Sequence, residues 1–506
     1  MQLSKNTLGQ IAARPGLSIP EVKLLELPDK VLQFGTGVLL RGLPDYFIDK
    51  ANKQGVFNGR VVVVKSTDSD STAFDKQDGL YTVCVRGVEN GKVVEEDIIN
   101  AAVSRVLSAK TEWNSILECA HNPEMKIILS NTTEVGIQLV QDDITNEPPV
   151  SFPGKLLAFL YERFKAFNGS AASGMVIVPT ELITDNGTKL EGIVLELAHR
   201  NNVDFKFIEW LENHNTFCNS LVDRIVPGKP NAEELKKLET ALGYKDDLLT
   251  MSEVFRLWAI EGDEKVKEVL SFYQTDEAVV IAPDITLFKE LKLRLLNGTH
   301  TFNCGVGFLS GFNITREAVT DKTFATFAKN LMHTEIAKAI PFEIDAKVKE
   351  DFANNTFERF CNPFIDHQWL SITVQYTSKM KMRNVPLLLR HYELTDTPPM
   401  HMATGFAGFL LYMKITRKDG NKYFGERNGV EYEIKDDSAE YLYTAWNNNT
   451  TSDALAETVM KDETLWETDL TKLPGFLSAV QEQLQDMIAN GVLETIAQLE
   501  TKKVTA

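Results

Sequence analysis

Apolar residues follow two different patterns along this chain, and the change between them divides it. Short unbroken apolar runs come first: Lys30-Val-Leu-Gln-Phe34, Arg60-Val-Val-Val-Val-Lys65, Met125-Lys-Ile-Ile-Leu-Ser130 and Gly174-Met-Val-Ile-Val-Pro179. A run with no polar alternation reads as a strand buried on both faces, as in a parallel sheet covered by helices. Helical patterns lie between the runs, from residue 38 to about 54 and from about 154 to 168. Strand, glycine turn, helix and strand make a βαβ unit, and its repetition predicts a mostly parallel sheet. Residues 79–86 alternate instead and run into Glu89-Asn-Gly-Lys92, which predicts an antiparallel hairpin inserted in that sheet.

Beyond about Pro283 long amphipathic stretches take over, at 286–296, 324–340, 403–414, 453–459 and 477–500. The expected fold class is therefore α/β. An N-terminal Rossmann-type doubly wound domain over 1–284 is followed by a mainly α-helical C-terminal domain over 285–506.

Composition narrows the partners. The 506 residues are 43% hydrophobic and 25% charged, ordinary for a globular chain and against disorder, a collagen repeat or a disulfide-stapled miniprotein. Lys plus Arg is 53 against 71 Asp plus Glu, a formal charge of −18 that repels phosphate backbones and anionic lipid. Neither nucleic acid nor a membrane is expected as a partner, and an anionic substrate needs a pocket with its own cations. The five cysteines are scattered without C-x-x-C spacing, which argues against structural zinc and a disulfide framework; no metal site is expected. The opening Met1-Gln-Leu-Ser-Lys-Asn lacks the apolar core of a signal peptide, and the apolar run near Met175 is too short to span a bilayer. A cytoplasmic location is the expectation.

Two places carry chemistry. Phe34-Gly35-Thr36-Gly37 stands where a strand meets a helix, the place a dinucleotide pyrophosphate occupies. Leu40 fills the third glycine position of G-x-G-x-x-G, so the turn also fits an ordinary strand–helix junction. Asp68 follows the second strand, where a carboxylate accepts the adenosine ribose hydroxyls and disfavours a 2′-phosphate. NAD is the implied cofactor, with a solvated loop acid as the alternative for Asp68.

The second place is Lys292-Leu-Arg-Leu-Leu-Asn297-Gly-Thr-His300. At α-helical spacing Lys292, Asn297 and His300 fall at about 0°, 140° and 80°, on one side of a helix. A lysine serves as acid or base where partial burial lowers its pKa, an Asn amide holds a developing oxyanion, and a His orients a hydroxyl or carbonyl. The alternative is a solvated lysine with Asn-Gly as a helix cap or kink.

The pattern K-x-x-x-x-N-x-x-H after a Rossmann domain resembles the long-chain mannitol dehydrogenase family. Further matches span nearly the whole chain: Val31-Leu-Gln-Phe-Gly-Thr-Gly with Arg41, Thr133-Glu134, Phe217-Cys-Asn-Ser-Leu-Val-Asp223, and Arg359-Phe-Cys-Asn362-Pro. Pro179-Thr-Glu181-Leu182 and Asn362-Pro-Phe-Ile-Asp-His367-Gln look like a branch that reduces keto-uronates. The resemblance implies a metal-independent, nicotinamide-dependent polyol or uronate dehydrogenase with Lys292 as acid/base and Asn297 and His300 on the reacting oxygen. Thr133 and Glu134 would lie beside the cofactor. Glu181 departs from the asparagine of the mannitol branch and would bind a substrate hydroxyl, or leave Asn297 as the main oxyanion donor. Lys379 matches a substrate-binding lysine of the family, and with Arg383 it would meet a substrate carboxylate; a basic surface turn is the alternative. Asp223 would hydrogen-bond sugar hydroxyls, or pair with Arg224 inside its own domain. His367 and His391 lack ligand spacing and read as ordinary histidines, and Asp142-Asp143 reads as a solvated face.

Overall fold

The structure is a computed structural model that describes residues 1–67, 70–133 and 135–502. The chain forms two compact units, Met1–Gly87 with Val93–Ile285, and Val88–Lys92 with Thr286–Ala506.

The first unit is built on six strands: β1 (Asp29–Phe34), β2 (Arg60–Lys65), β3 (Val103–Ser108), β4 (Ile127–Ser130), β5 (Val176–Pro179) and β6 (Thr216–Phe217). Their order is β3-β2-β1-β4-β5-β6, and each neighbouring pair is parallel. This is the doubly wound arrangement, in which the winding direction reverses between β1 and β4. The valine run of β2 is unbroken because both its faces are covered. Val61 and Val63 enter one apolar core, while Val62 and Val64 enter the opposite one. Helix α1 (Val38–Gly42) follows β1, and α2 (Phe152–Ala166) and α3 (Asn186–Arg200) bury Leu156, Leu160, Leu190 and Val194 in the second core.

Two expectations change here. Strands Tyr81–Glu89 and Lys92–Asn100 do turn at Asn90 (φ 53°) and Gly91 (φ 72°), but they join Leu17–Ser18 and Thr250–Glu253 in a separate four-stranded sheet. Parallel partners occupy both flanks of the hairpin, so it is not inserted in the six-stranded sheet. Asp142 is buried rather than solvated. Its carboxylate accepts from Val150 N, Ser151 N and Ser151 Oγ, and Ser151 in turn caps α2 by accepting from Gly154 N. A carboxylate satisfied by a loop eight to nine residues on leaves no mark in a local pattern.

The second unit is mainly helical. It contains α4 (Thr286–Leu291), α5 (Thr299–Leu309), α6 (Ala346–Phe360), α7 (Val385–Leu394), α8 (Met400–Tyr412), α9 (Phe476–Asn490) and α10 (Val492–Lys502). A three-stranded antiparallel meander, Ile415–Asp419, Lys422–Arg427 and Val430–Ile434, is added to them. Phe302 and Val306 of α5, Phe406 and Leu410 of α8 and Leu484 of α9 meet in one core. Gly491 breaks the long stretch expected at 477–500 into α9 and α10. Three segments are wound as π-helix: Lys292–Gly298, Leu331–Ile336 and Met380–Asn384. Among the described residues, no helix is long and apolar enough to cross a membrane.

Candidate active site

A first group of candidate residues lies at the carboxyl ends of β1, β4 and β5. The Phe34 side chain packs into the core against Phe152, ring centroids 5.1 Å apart, so only its backbone faces the turn. That turn is pinned from both sides: Gly35 N donates to Val64 O at 3.0 Å, and Asn131 N donates to Phe34 O at 3.1 Å. Gly35 has φ +127°, and a Cβ there would sit 3.0 Å from Asn131 O and from Leu40 Cδ1. Only glycine fits. Thr36 leads to Gly37, which caps α1 and whose Cβ would meet no atom within 4 Å. The backbone beside Gly37 is thus open to an approaching pyrophosphate, and the residues fit a dinucleotide at this turn. With five residues in α1, recognition rests on backbone N–H groups more than on a helix dipole. Asp68 and Glu134 lie outside the described residues.

Glu181 braces the neighbouring strand ends. It is 3% exposed and accepts from Thr132 N at 2.9 Å, Thr132 Oγ1 at 3.0 Å and Ser130 Oγ at 3.1 Å. Asn131 Nδ2 returns the tie by donating to Thr180 O at 3.0 Å. Burial pushes the Glu181 carboxyl pKa upward, and the Thr132 N–H pulls against that shift. Three of the roughly four acceptor sites of this carboxylate are therefore engaged within its own unit. Thr133 continues the chain from this brace. Asp223 is buried at the end of strand Ser220–Asp223. Next to it Arg224 donates to Glu253 O at 2.9 Å and Gly42 O at 2.6 Å, with its guanidinium 4.4 Å from the Tyr46 ring centre.

A second group belongs to the helical unit. The helix does not stop at Asn297-Gly298; it runs from α4 through the π-turn into α5. A π-turn closes i→i+5 bonds, so Asn297 comes one turn beyond Lys292 instead of about 140° round an α-helix. Single π-turns of this sort recur at functional sites. Gly298 is where the turn meets a second one: a Cβ there would be 3.1 Å from Asn384 Oδ1. Lys292 and Asn297 are half-buried.

His300 is 8% exposed, its ring centroid 4.2 Å from Phe360, 5.1 Å from His367 and 6.1 Å from Trp369. Burial, followed by the charges of His367, Arg359 and Arg383, drives its pKa well below the ordinary histidine value. The imidazole is neutral at neutral pH, with one nitrogen to donate and one to accept. Its Nδ1 is buried without a hydrogen-bond partner among the described residues, as is Arg383 Nε. Arg383 Nη1 donates to Thr301 Oγ1 at 3.1 Å, and Lys379 Nζ to Ile372 O at 2.8 Å. Burial, then Arg383, lowers the Lys379 pKa. In a chain of charge −18, cations collect around one histidine.

His367 and Arg359 in this cluster escape a local reading of the sequence. His367 shows no ligand spacing, and it reaches His300 only through a chain return of 67 residues. The single available signal was the run from Arg359 to His367 itself.

Comparison with known proteins shows the family. The mannitol dehydrogenase Rossmann domain matches residues 29–272, and the mannitol dehydrogenase C-terminal domain matches 284–488. The altronate oxidoreductase of Pectobacterium carotovorum is 37% identical over 479 residues, covering 92% of this chain and 96% of its own length. The one from Halalkalibacterium halodurans is 35% identical over 486 residues, 94% of each chain. A D-sorbitol dehydrogenase in substrate-free form has the same fold, at a TM-score of 0.80 and 22% identity over 98% of this chain and 100% of that one. The mannitol 2-dehydrogenase of Pseudomonas fluorescens, in ternary complex with NAD and D-mannitol, superposes at a TM-score of 0.68 and 22% identity over 99% and 100%. The chain belongs to the mannitol dehydrogenase family and is an NAD-dependent oxidoreductase acting on CH–OH groups.

Proposed function

We propose that the protein interconverts tagaturonate and altronate, with Lys292 as the acid/base. The carrying observation is the cluster of Arg359, Lys379 and Arg383 around His300 and His367, in a strongly acidic chain. A neutral polyol needs no such cluster, whereas a sugar acid carries a carboxylate that it would hold. The names of the relatives at 35–37% identity point the same way.

NADH, when bound, supplies the hydride that adds to the ketone carbon. Lys292 gives its proton to the carbonyl oxygen as the C=O pair becomes an O–H bond. Asn297 Nδ2 donates to that oxygen while its charge develops, a stabilisation that exists in the transition state and not in the free enzyme. Neutral His300 orients the same oxygen or the adjacent hydroxyl. In the oxidising direction neutral Lys292 takes the hydroxyl proton, as reversibility requires. Lys379 and Arg383 hold the carboxylate, and Asp223 accepts from a sugar hydroxyl. Glu181 holds Thr132 and Thr133 in place beside the nicotinamide.

The test is NADH oxidation with tagaturonate, fructuronate and fructose. Turnover on tagaturonate far above the other two is the expected result. Preference for fructuronate moves the substrate to the epimeric acid, and preference for fructose removes the carboxylate from the reading.

A further inference from the structure

We propose that Arg294 is a positioning residue that clamps the π-turn bearing Lys292 and Asn297 to the π-turn bearing Arg383. This rests on the reading of function above.

Arg294 sits two residues after Lys292, is 7% exposed, and points away from solvent into the neighbouring turn. Its Nη1 donates to Met382 O and to Arg383 O, each at 2.8 Å. Its Nε donates to Glu290 Oε2 at 2.9 Å, one helical turn back on α4. Pro386 lies just beyond the π-turn Met380–Asn384 and offers no N–H of its own. Arg294 reaches the two carbonyls from 88 and 89 residues away.

The clamp ends on the site's own residues. Arg383, whose carbonyl Arg294 holds, reaches back with its guanidinium to Thr301, the neighbour of His300. Gly298 lets the two turns approach until a Cβ would stand 3.1 Å from Asn384 Oδ1. Two cross-links of opposite direction therefore tie the π-turn at 380–384 to the helix that carries Lys292, one from Arg294 and one from Arg383 to Thr301 at the start of α5. Glu290 keeps the buried guanidinium paired, so the charge is not left alone in the core. The planar fork serves two carbonyls from Nη1 and a carboxylate from Nε in one fixed geometry, which the three donors on a single lysine nitrogen do not reproduce.

The experiment compares wild type with Arg294→Lys and Arg294→Ala on whichever keto substrate turns over. We expect kcat to fall by roughly a hundredfold, since about 1 Å of misplacement costs that much. The keto-acid KM should rise, NADH affinity should stay unchanged, and guanidinium ion should restore part of the kcat of Arg294→Ala. Hydrogen–deuterium exchange of 380–388 should accelerate in Arg294→Lys, with β1 to β6 unaffected. Wild-type kcat and KM in a folded Arg294→Lys protein would overturn the proposal. So would a loss in Arg294→Ala that falls equally on NADH binding, or that guanidinium leaves untouched. If wild type turns over none of the substrates, the reading of function fails, and the exchange rates still decide the clamp: unchanged rates at 380–388 reject it, and accelerated ones support it.

Discussion

The two candidate halves of the chemistry, one within each unit, are made of different material. At the strand ends of the first unit the business is done by backbone: an open Gly37, a pinned Gly35, and N–H groups at a regular βα junction. In the helical unit it is done by side chains standing on irregular π-turns. Backbone sites are forgiving of sequence, because any strand–turn–helix with glycine at the right point offers the same amides. Side-chain sites depend on the angle at which one turn presents lysine, asparagine and histidine, and that angle needs support from elsewhere.

Substitutions should separate the halves. The largest effect is expected for Lys292→Ala, where kcat falls by about 10²–10⁴ or more while NADH still binds, as stopped-flow and equilibrium titration would read. Retained kcat would remove the lysine from the chemistry. Gly37→Val should do the reverse, leaving the fold intact because a Cβ there meets no atom within 4 Å, and weakening NADH by an order of magnitude or more. NADH affinity equal to wild type would place the pyrophosphate elsewhere.

Glu181→Gln comes next. The amide puts an N–H₂ among Ser130 and Thr132 donors that the carboxylate now accepts, and a loss of about 1–3 kcal/mol in urea unfolding is expected. NADH KM should rise along with it, because Thr132 and Thr133 lose their anchor. An unchanged unfolding midpoint would return Glu181 to the substrate.

The smallest expected effect is on pH dependence, and its sign differs between the units. Burial raises the Asp45 pKa to about 7 in the first unit. Folded protein holds a proton there that the unfolded chain releases from 3.8 upward, so this contribution is full below 3.8 and lost as pH rises through about 7. Burial lowers His300, His333 and His367 in the second unit. Their contribution is full above the unfolded value of 6.5 and is lost as pH falls below it. Asp45→Asn should therefore raise the urea midpoint more at pH 8 than at pH 5. An equal gain at both would mean that Asp45 is ionised throughout.

Legibility followed the same division. The Val61–Val64 run announced a doubly covered strand, and the alternation of runs with helical patterns announced the parallel sheet, because burial on two faces dictates composition directly. The hairpin turn at Asn90-Gly91 was equally plain, but its sheet was not, since the flanking partners Leu17–Ser18 and Thr250–Glu253 lie far away in sequence. Lys292, Asn297 and His300 stood out as residue types at a telling spacing. Their α-helical angles were wrong, because a change to π winding carries no periodic mark when the residues around it stay apolar.

What the sequence determined by itself is what neighbouring residues decide: strand or helix, the glycine turn, and which groups are capable of acid/base chemistry. Only the tertiary structure decided that Glu181 spends its oxygens on Ser130 and Thr132, that His367 stands beside His300, and that Arg294 donates to the Met382 and Arg383 carbonyls. Each of those is a hydrogen bond or ring contact between residues dozens of positions apart. Such partners are chosen by how the helices and strands pack, and packing is a property of the whole chain.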